Sequence, residues 1–209
     1  MDLCSLCAEM LPRPQPPLEF PPGTVPPVAN PQVPGCILRL AALEYAWPVD
    51  LMVQELKFGG NWPVARIFGQ LLADSRRDLP LPLPEVVIPV PLHPSRLAER
   101  GFNQAEHIAR HVAEALGLPL APPLLQRRRA TAVQSKLNAE ARRENLRDAF
   151  ELNERSSRMP LEPWQHVALL DDVVTTGSTL AAATSALRRV GVRHIEWWTA
   201  AATADPAAR

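Results

Sequence analysis

The stretch LLDDVVTTGSTL, residues 169–180 of a 209-residue chain, sets two adjacent carboxylates, Asp171 and Asp172, after an apolar run and follows them with Thr175, Thr176, Gly177, Ser178 and Thr179. Each residue type suits a distinct piece of chemistry. A loop that opens a helix leaves several backbone N–H groups without helical partners, and the helix dipole adds about half a positive charge there. Such an end holds anions, phosphate above all. The Thr and Ser hydroxyls supply further donors, and Gly177 allows a positive φ or a close backbone approach. Asp171 and Asp172 would repel a phosphate but accept hydrogen bonds from vicinal hydroxyls nearby. A sugar diol that ends in a phosphate meets both demands, and a ribose 5-phosphate group is such a ligand. An Asp-Asp pair or a Thr-Thr-Gly turn alone is more often a helix cap. What favours a site is the order: apolar strand, two acids, hydroxyl loop, helix. No Gly-Lys-Ser/Thr ending and no spaced glycines accompany it, which disfavours nucleoside triphosphate and NAD.

These residues need a scaffold, and the apolar pattern supplies one. Val86, Val87, Ile88, Pro89 and Val90 make a short β-branched run bounded by prolines, suited to a buried strand. Val64, Ile67, Phe68, Leu71 and Leu72 recur at helical spacing over 61–73, and Ala105, Ile108, Ala109, Val112, Ala115 and Leu116 do so before Gly117 and Pro119. A strand over 167–170, a helix face of Leu180, Ala183, Leu187 and Val190 ended by Gly191, and a strand over 194–199 follow. Strands alternating with helices predict an α/β fold with a mostly parallel sheet covered on both faces. Ligands of such folds bind beyond the carboxyl ends of the strands, where the 175–179 loop would sit.

Composition narrows the rest. The length and 46% hydrophobic content suit one α/β domain with a small appendage. Lys+Arg and Asp+Glu both number 22, so the whole molecule has no strong electrostatic pull on nucleic acid. No apolar run reaches the ~18 residues of a membrane span, and no secretory leader pattern opens the chain; we expect a soluble, cytoplasmic protein with no membrane insertion. Ten of the 24 prolines lie between Pro12 and Pro34, an extended segment between Cys4-Ser5-Leu6-Cys7 and the globular part. The expected division is therefore 1–42, a Cys-x-x-Cys and proline-rich segment, and 43–209, the ligand-binding domain.

The string from Val167 to Thr179 resembles the phosphoribosyl pyrophosphate (PRPP) signature of type I phosphoribosyltransferases. Leu56-Lys57-Phe58-Gly59-Gly60, Val90-Pro91-Leu92-His93-Pro94, Arg100-Gly101-Phe102-Asn103-Gln104, and Gln134-Ser135 with Arg142-Arg143-Glu144-Asn145-Leu146 are together similar to the ComF family, from about Leu43 onward. The resemblance implies the type I phosphoribosyltransferase fold. It implies that Thr175, Thr176, Gly177, Ser178 and Thr179 hold the 5-phosphate of PRPP, that Asp171 and Asp172 hold the ribose hydroxyls as the catalytic pair, and that Leu92 and His93 lie in a pyrophosphate loop. The stretch 127–143 would be a mobile loop with Arg129, Arg142 and Arg143 against pyrophosphate; its Arg127, Arg128, Arg129, Lys136, Arg142 and Arg143 against Glu140 leave a net of about five positive charges. Pyrophosphate would leave the anomeric carbon with Mg²⁺ neutralising it, and the sugar phosphate would pass to an acceptor that no residue identifies. His93 is read either as polarising a leaving oxygen or as structural, and Lys57 either as reaching phosphate or as a surface lysine.

ComF-type proteins commonly carry a zinc module with paired Cys-x-x-Cys motifs. Here Cys4, Cys7 and Cys36 remain, and no histidine occurs before His93. A closed zinc site wants four ligands, so a distant residue completes it, two chains share the metal as a homodimer would, or the module has decayed to a degenerate Cys-containing segment. The family also implies a role in DNA uptake and competence. The alternative reading is thus a non-catalytic PRPP sensor or a single-stranded-DNA-binding accessory to DNA-uptake proteins. It would draw on the 127–143 patch and on some of Trp47, Trp62, Trp164, Trp197 and Trp198, although Trp197 and Trp198 sit in an expected strand and suit the core better.

Overall fold

A computed structural model describes residues 3–14, 36–128, 149–153 and 164–203. In chain order these form α1 (Ser5–Glu9), β1 (Cys36–Glu44), α2 (Val49–Gly59), α3 (Trp62–Arg77), β2 (Val86–Pro89), α4 (Pro94–Arg100) and α5 (Gln104–Leu116). Then come β3 (Leu125–Arg127), β4 (Phe150–Leu152), β5 (His166–Val174), α6 (Ser178–Arg189) and β6 (His194–Ala202). Four strands make one sheet in the order β1-β6-β5-β2, every neighbouring pair parallel. The short strands β3 and β4 pair antiparallel as a separate unit. This is the mixed α/β architecture that the alternating pattern implies.

Buried parallel strands read as nearly unbroken apolar runs because both faces are covered. In β5 and β6 the side chains alternate between two cores. Ala168, Leu170, Trp198 and Ala200 pack with Val53 of α2, Phe68 of α3 and Ile108 of α5. Val167, Leu169, Ile195 and Trp197 pack on the other face with Leu180, Ala183 and Leu187 of α6 and Phe150 of β4. The tryptophan pair is core, as the strand pattern implies. A register shift between Cys36 and Leu38 in β1 turns Cys36 to the α6 face while Leu38 faces α3.

Gly69 lies inside α3, where glycine ordinarily costs about 1 kcal/mol relative to alanine. Packing explains it: a Cβ there would stand 2.5 Å from the His111 Cβ on α5. The two helices approach closely only because that atom is missing.

Several boundaries differ from the sequence reading, and the helix read over 61–73 runs on to Arg77. The expected division at 42/43 falls within β1, so the folded domain takes in its edge strand from Cys36 onward. The strand read over 167–170 runs on to Val174, and the last strand runs to Ala202 rather than 199. In both, ladder pairing continues past the residues whose polarity or small size ended the apolar pattern. No helix among the described residues is long and apolar enough to cross a membrane.

At the amino end of the sheet, away from the 175–177 loop, Arg76 and Glu196 form an ion pair of 2.8 Å with side chains only 0% and 1% exposed. Glu196 also accepts from Trp198 Nε1 at 2.7 Å and meets His166 Nε2 at 2.8 Å, while Arg76 donates to the carbonyls of Leu81 and Pro82. Burial alone would raise the Glu196 pKa, but the hydrogen bonds from His166, Arg76 and Trp198, with the Arg76 charge, hold it below its usual value. Stability from this carboxylate is therefore present above the unfolded Glu pKa and is lost as pH falls through the lower folded value. Glu196→Ala leaves Arg76 buried and uncompensated, and we expect a loss of about 3–5 kcal/mol in urea unfolding at neutral pH. A loss below about 1 kcal/mol would refute the pair's structural role.

Candidate active site at the end of β5

β2 and β5 are neighbours, but the chain leaves them in opposite directions. After β2 it enters α4 and α5, and α5 packs on the face that carries α2 and α3; after β5 it enters α6, on the other face. Adjacent parallel strands whose following helices diverge in this way open a crevice at their carboxyl ends, the usual binding position in α/β sheets. The two loops that line it are 90–93 and 175–177.

The crevice is shaped by unequal strand lengths. Pro89 is opposite Leu170, and the Val90 N–H donates to the Leu170 carbonyl at 2.8 Å, after which the β2 chain turns away. β5 continues along β6 to the Val174–Ala202 pair. Asp171 and Asp172 thus lie inside a strand, beyond the end of its shorter neighbour. Successive strand residues point to opposite faces, and the two carboxylates accordingly meet different surroundings.

Asp172 faces α2 and α5. Its Oδ2 pairs with Lys57 Nζ at 3.0 Å and accepts from Gln104 Nε2 at 2.8 Å, and its Oδ1 accepts the Val173 N–H at 2.7 Å. Asp171 faces the β3-β4 side, and its Oδ1 accepts the Asp172 N–H at 2.9 Å. Burial, then the adjacent Asp172 charge, pushes the Asp171 pKa up to about 8; Lys57 and Arg127 offset this only in part. Some of its surface stays open, so it is a carboxyl that reaches the crevice carrying its proton at neutral pH. Burial likewise lowers the pKa of Arg127 from its usual value.

The hydroxyl loop closes over this strand end. Gly177 has φ 72°, and a Cβ there would lie 3.0 Å from Trp197 Cζ3, so both the left-handed turn and its contact with the sheet require glycine. Thr175 and Thr176 are exposed. The Thr176 and Ser178 hydroxyls meet at 2.6 Å, and the Ser178 N–H points at Thr176 Oγ1 at a long 3.4 Å. Ser178 and Thr179 form the first turn of α6, whose 12 residues supply the helix dipole.

Other expected site residues fall as follows. Leu92 and His93 line the crevice loop, and His93 caps α4, its Nδ1 accepting the Ser95 N–H at 3.2 Å and lying 2.7 Å from Ser95 Oγ. Arg127 stacks 5.6 Å from the Phe150 ring, and Arg128 pairs with Glu151 at 2.8 Å. Arg129, Arg142 and Arg143 lie outside the described residues, as do Gln134 and Lys136. Cys4 and Cys7 are exposed and joined by a Cys7 N–H contact to Cys4 Sγ at 3.4 Å, whereas Cys36 is buried in the core. No group of three or more His, Cys, Asp or Glu able to hold a metal occurs among the described residues. Lys57 pairs with a carboxylate, a role neither of its two sequence readings contained.

Gln104 closes the Arg100–Gln104 motif, but its bond to Asp172 spans 68 residues, and no local pattern announces it. A ring cluster beside it was also missed as a unit: Trp62 lies 4.7 Å from Phe102 and 4.0 Å from His107, with Trp62 44% exposed. Phe58 is 81% exposed under the Arg100 guanidinium, 5.5 Å away.

The Asp171 shift has a testable sign. A folded pKa of about 8 against an ordinary 3.8 means that the folded state binds its proton more tightly than the unfolded chain. This group's contribution is greatest below the unfolded pKa and is lost as pH rises toward about 8. Asp171→Asn removes that dependence, so thermal melts should give the variant a stability gain that grows as pH rises from about 4 to about 8. A pH-independent difference would contradict the assignment.

No protein-family model matches the chain. Among curated proteins it is 37% identical to "Competence protein F" of Haemophilus influenzae over 74% of this chain and 68% of that protein. It is 32% identical to "DNA utilization protein YhgH" of Salmonella typhimurium over 94% of this chain and 88% of that protein, and 34% identical to its Escherichia coli K12 counterpart over 74% and 67%. Among solved structures, adenine phosphoribosyltransferase from Leishmania tarentolae aligns over 66% of this chain and 71% of that one, at 15% identity and a TM-score of 0.33, too loose a superposition to bear on the site. The long alignments at more than 30% identity establish that the chain belongs to the family of competence protein F and the DNA utilization protein YhgH.

Proposed function

We propose that the crevice between β2 and β5 binds Mg-bound PRPP and that the protein transfers the phosphoribosyl group with release of pyrophosphate. The observation that carries this reading is the junction of three features at one strand end: a glycine-dependent hydroxyl loop opening α6, a carboxyl pair in the strand before it, and a second loop from the neighbouring strand. The 5-phosphate takes the N–H groups and hydroxyls of 175–179. The pentose lies across the end of β5, and the diphosphate extends toward Leu92 and His93.

Mg²⁺ would supply charge neutralisation of the leaving diphosphate, a role that would ask few ligands of the protein. The side chains fit that light demand, since Asp172 is already engaged by Lys57 and Gln104 and offers little further coordination. In the reaction the bond from the anomeric carbon to the diphosphate oxygen breaks, that oxygen keeps the electron pair, a bond forms from the same carbon to the acceptor, and the proton the acceptor gives up leaves with the diphosphate or to water. Asp171, protonated near neutrality, donates a hydrogen bond to the sugar.

The relatives' names, competence and DNA utilization, support placing this activity in the handling of incoming DNA. One observation favours a direct contact with single-stranded DNA as a second reading: the exposed Phe58 with Arg100, and Trp62 with Phe102 and His107, make aromatic faces on which bases stack. Titration calorimetry separates the readings. We expect PRPP binding that requires Mg²⁺, weakened at least about tenfold by Asp171→Asn/Asp172→Asn and by Thr176→Val, with pyrophosphate released once an acceptor is present. Undiminished binding in those variants would remove the site from the proposal. Binding that persists without turnover against any acceptor would leave the sensor or accessory reading.

A further inference from the structure

The Gln104 side chain opens α5 with only 4% of the residue exposed, and its carbonyl oxygen Oε1 has no hydrogen-bond partner. Its orientation follows from chemistry. Asp172, paired with the Lys57 ammonium, presents acceptors only, so the amide nitrogen must face it and the carbonyl must point elsewhere. A covered carbonyl without a donor costs stability and calls for a reason.

Asp172 has little acceptor capacity to spare. Its Oδ2 takes both Lys57 and Gln104, and its Oδ1 takes the Val173 N–H. Among the described residues Gln104 Oε1 is a buried side-chain acceptor left open beside Asp172, and the Lys57 ammonium, which shares Asp172 Oδ2 with the Gln104 amide, carries three N–H groups. A hydroxyl donates to one and accepts from the other through a single oxygen, as a water does, and the sugar diol of the proposed ligand supplies one. An ether or carbonyl oxygen would leave Gln104 unpaired, and an ammonium would meet Lys57 as a like charge.

We infer that Gln104 Oε1 and Lys57 together read a ring hydroxyl of the pentose 5-phosphate, and that Asp172 is a positioning residue holding both of them. The inference rests on the sugar-phosphate reading above and deepens it: on this face the diol is recognised by an amide and an ammonium, through the carboxylate. Lys57 forms the outer wall. Its side chain is 26% exposed on a flexible stem, against 9% for Asp172, so of the two groups beside Gln104 it is the one free to adjust to a ligand.

Calorimetry of the full chain with inorganic phosphate and with ribose 5-phosphate tests this. The readout is the ratio of the two affinities, which a general loss of packing does not change. The wild type is expected to prefer ribose 5-phosphate, and Gln104→Met to lower the preference on the order of tenfold. Lys57→Met, at a partly exposed position, should lower it too and guards against a Gln104 variant that fails to fold. As a direct signature, the Gln104 side-chain carbonyl resonance should move with ribose 5-phosphate and stay put with phosphate alone. If both variants keep the wild-type ratio and the resonance is still, the orphan carbonyl holds a structural water only and the inference is overturned while phosphate-sugar binding stands. If the wild type binds neither PRPP nor ribose 5-phosphate, the proposed function fails and this inference with it.

Discussion

Successive side chains of a β-strand leave on opposite faces, and β5 keeps to that rule through both of its carboxylates because it stays paired with β6 to Val174 after β2 has ended at Pro89. The consequences run through the whole site. Asp172 is carried to the helical side and is drawn into a polar cluster with Lys57 and Gln104. Asp171 is carried to the β3-β4 side, where burial beside another acid leaves it holding a proton. Two residues of the same type, adjacent in sequence, thereby acquire different chemistry. The shorter neighbour matters as much: had β2 matched β5 in length, its chain would fill the crevice.

The two ends of the sheet treat charge in contrasting ways. At the amino end, Glu196 is surrounded by Arg76, His166 and Trp198, and its acceptors are met. Buried charge of that kind holds one packing arrangement and has nothing left for a ligand. At the carboxyl end the polar groups are met incompletely, with a protonated Asp171, an orphan Gln104 carbonyl, and Thr176 and Ser178 hydroxyls that bond each other at the surface. An unmet buried carbonyl also occurs at the amino end, at Gln165 Oε1, so what favours a site at the carboxyl end is incomplete bonding together with the diverging strands.

Much of this was legible in the sequence, and the reasons for the rest are physical. The helices α3 and α5 stood out because each has one clear apolar period, and β2 because it is an unbroken β-branched run between prolines. The loop 175–179 stood out because an apolar strand, two acids, a hydroxyl loop with one glycine and a helix follow one another in order. The continuation of β5 through Asp171 and Asp172 was hidden, since acids are poor strand formers and pairing with β6 decides their conformation. Lys57 and Gln104 were hidden as partners of Asp172 because the contacts join segments far apart in the chain. β3 and β4, three residues each, are too short to leave a periodic signature.

The central claim is that a phosphorylated pentose sits at the end of β5 with its phosphate on the loop before α6 and its ring between two carboxylates that face apart. A crystal structure of the protein grown with PRPP and Mg²⁺ tests it most directly. The account predicts the 5-phosphate within hydrogen-bond distance of the 175–179 backbone N–H groups, and pentose hydroxyls directed at Asp171 on one face of β5 and at Gln104 on the other. Phosphate bound elsewhere, or a loop left empty at saturating ligand, would contradict it.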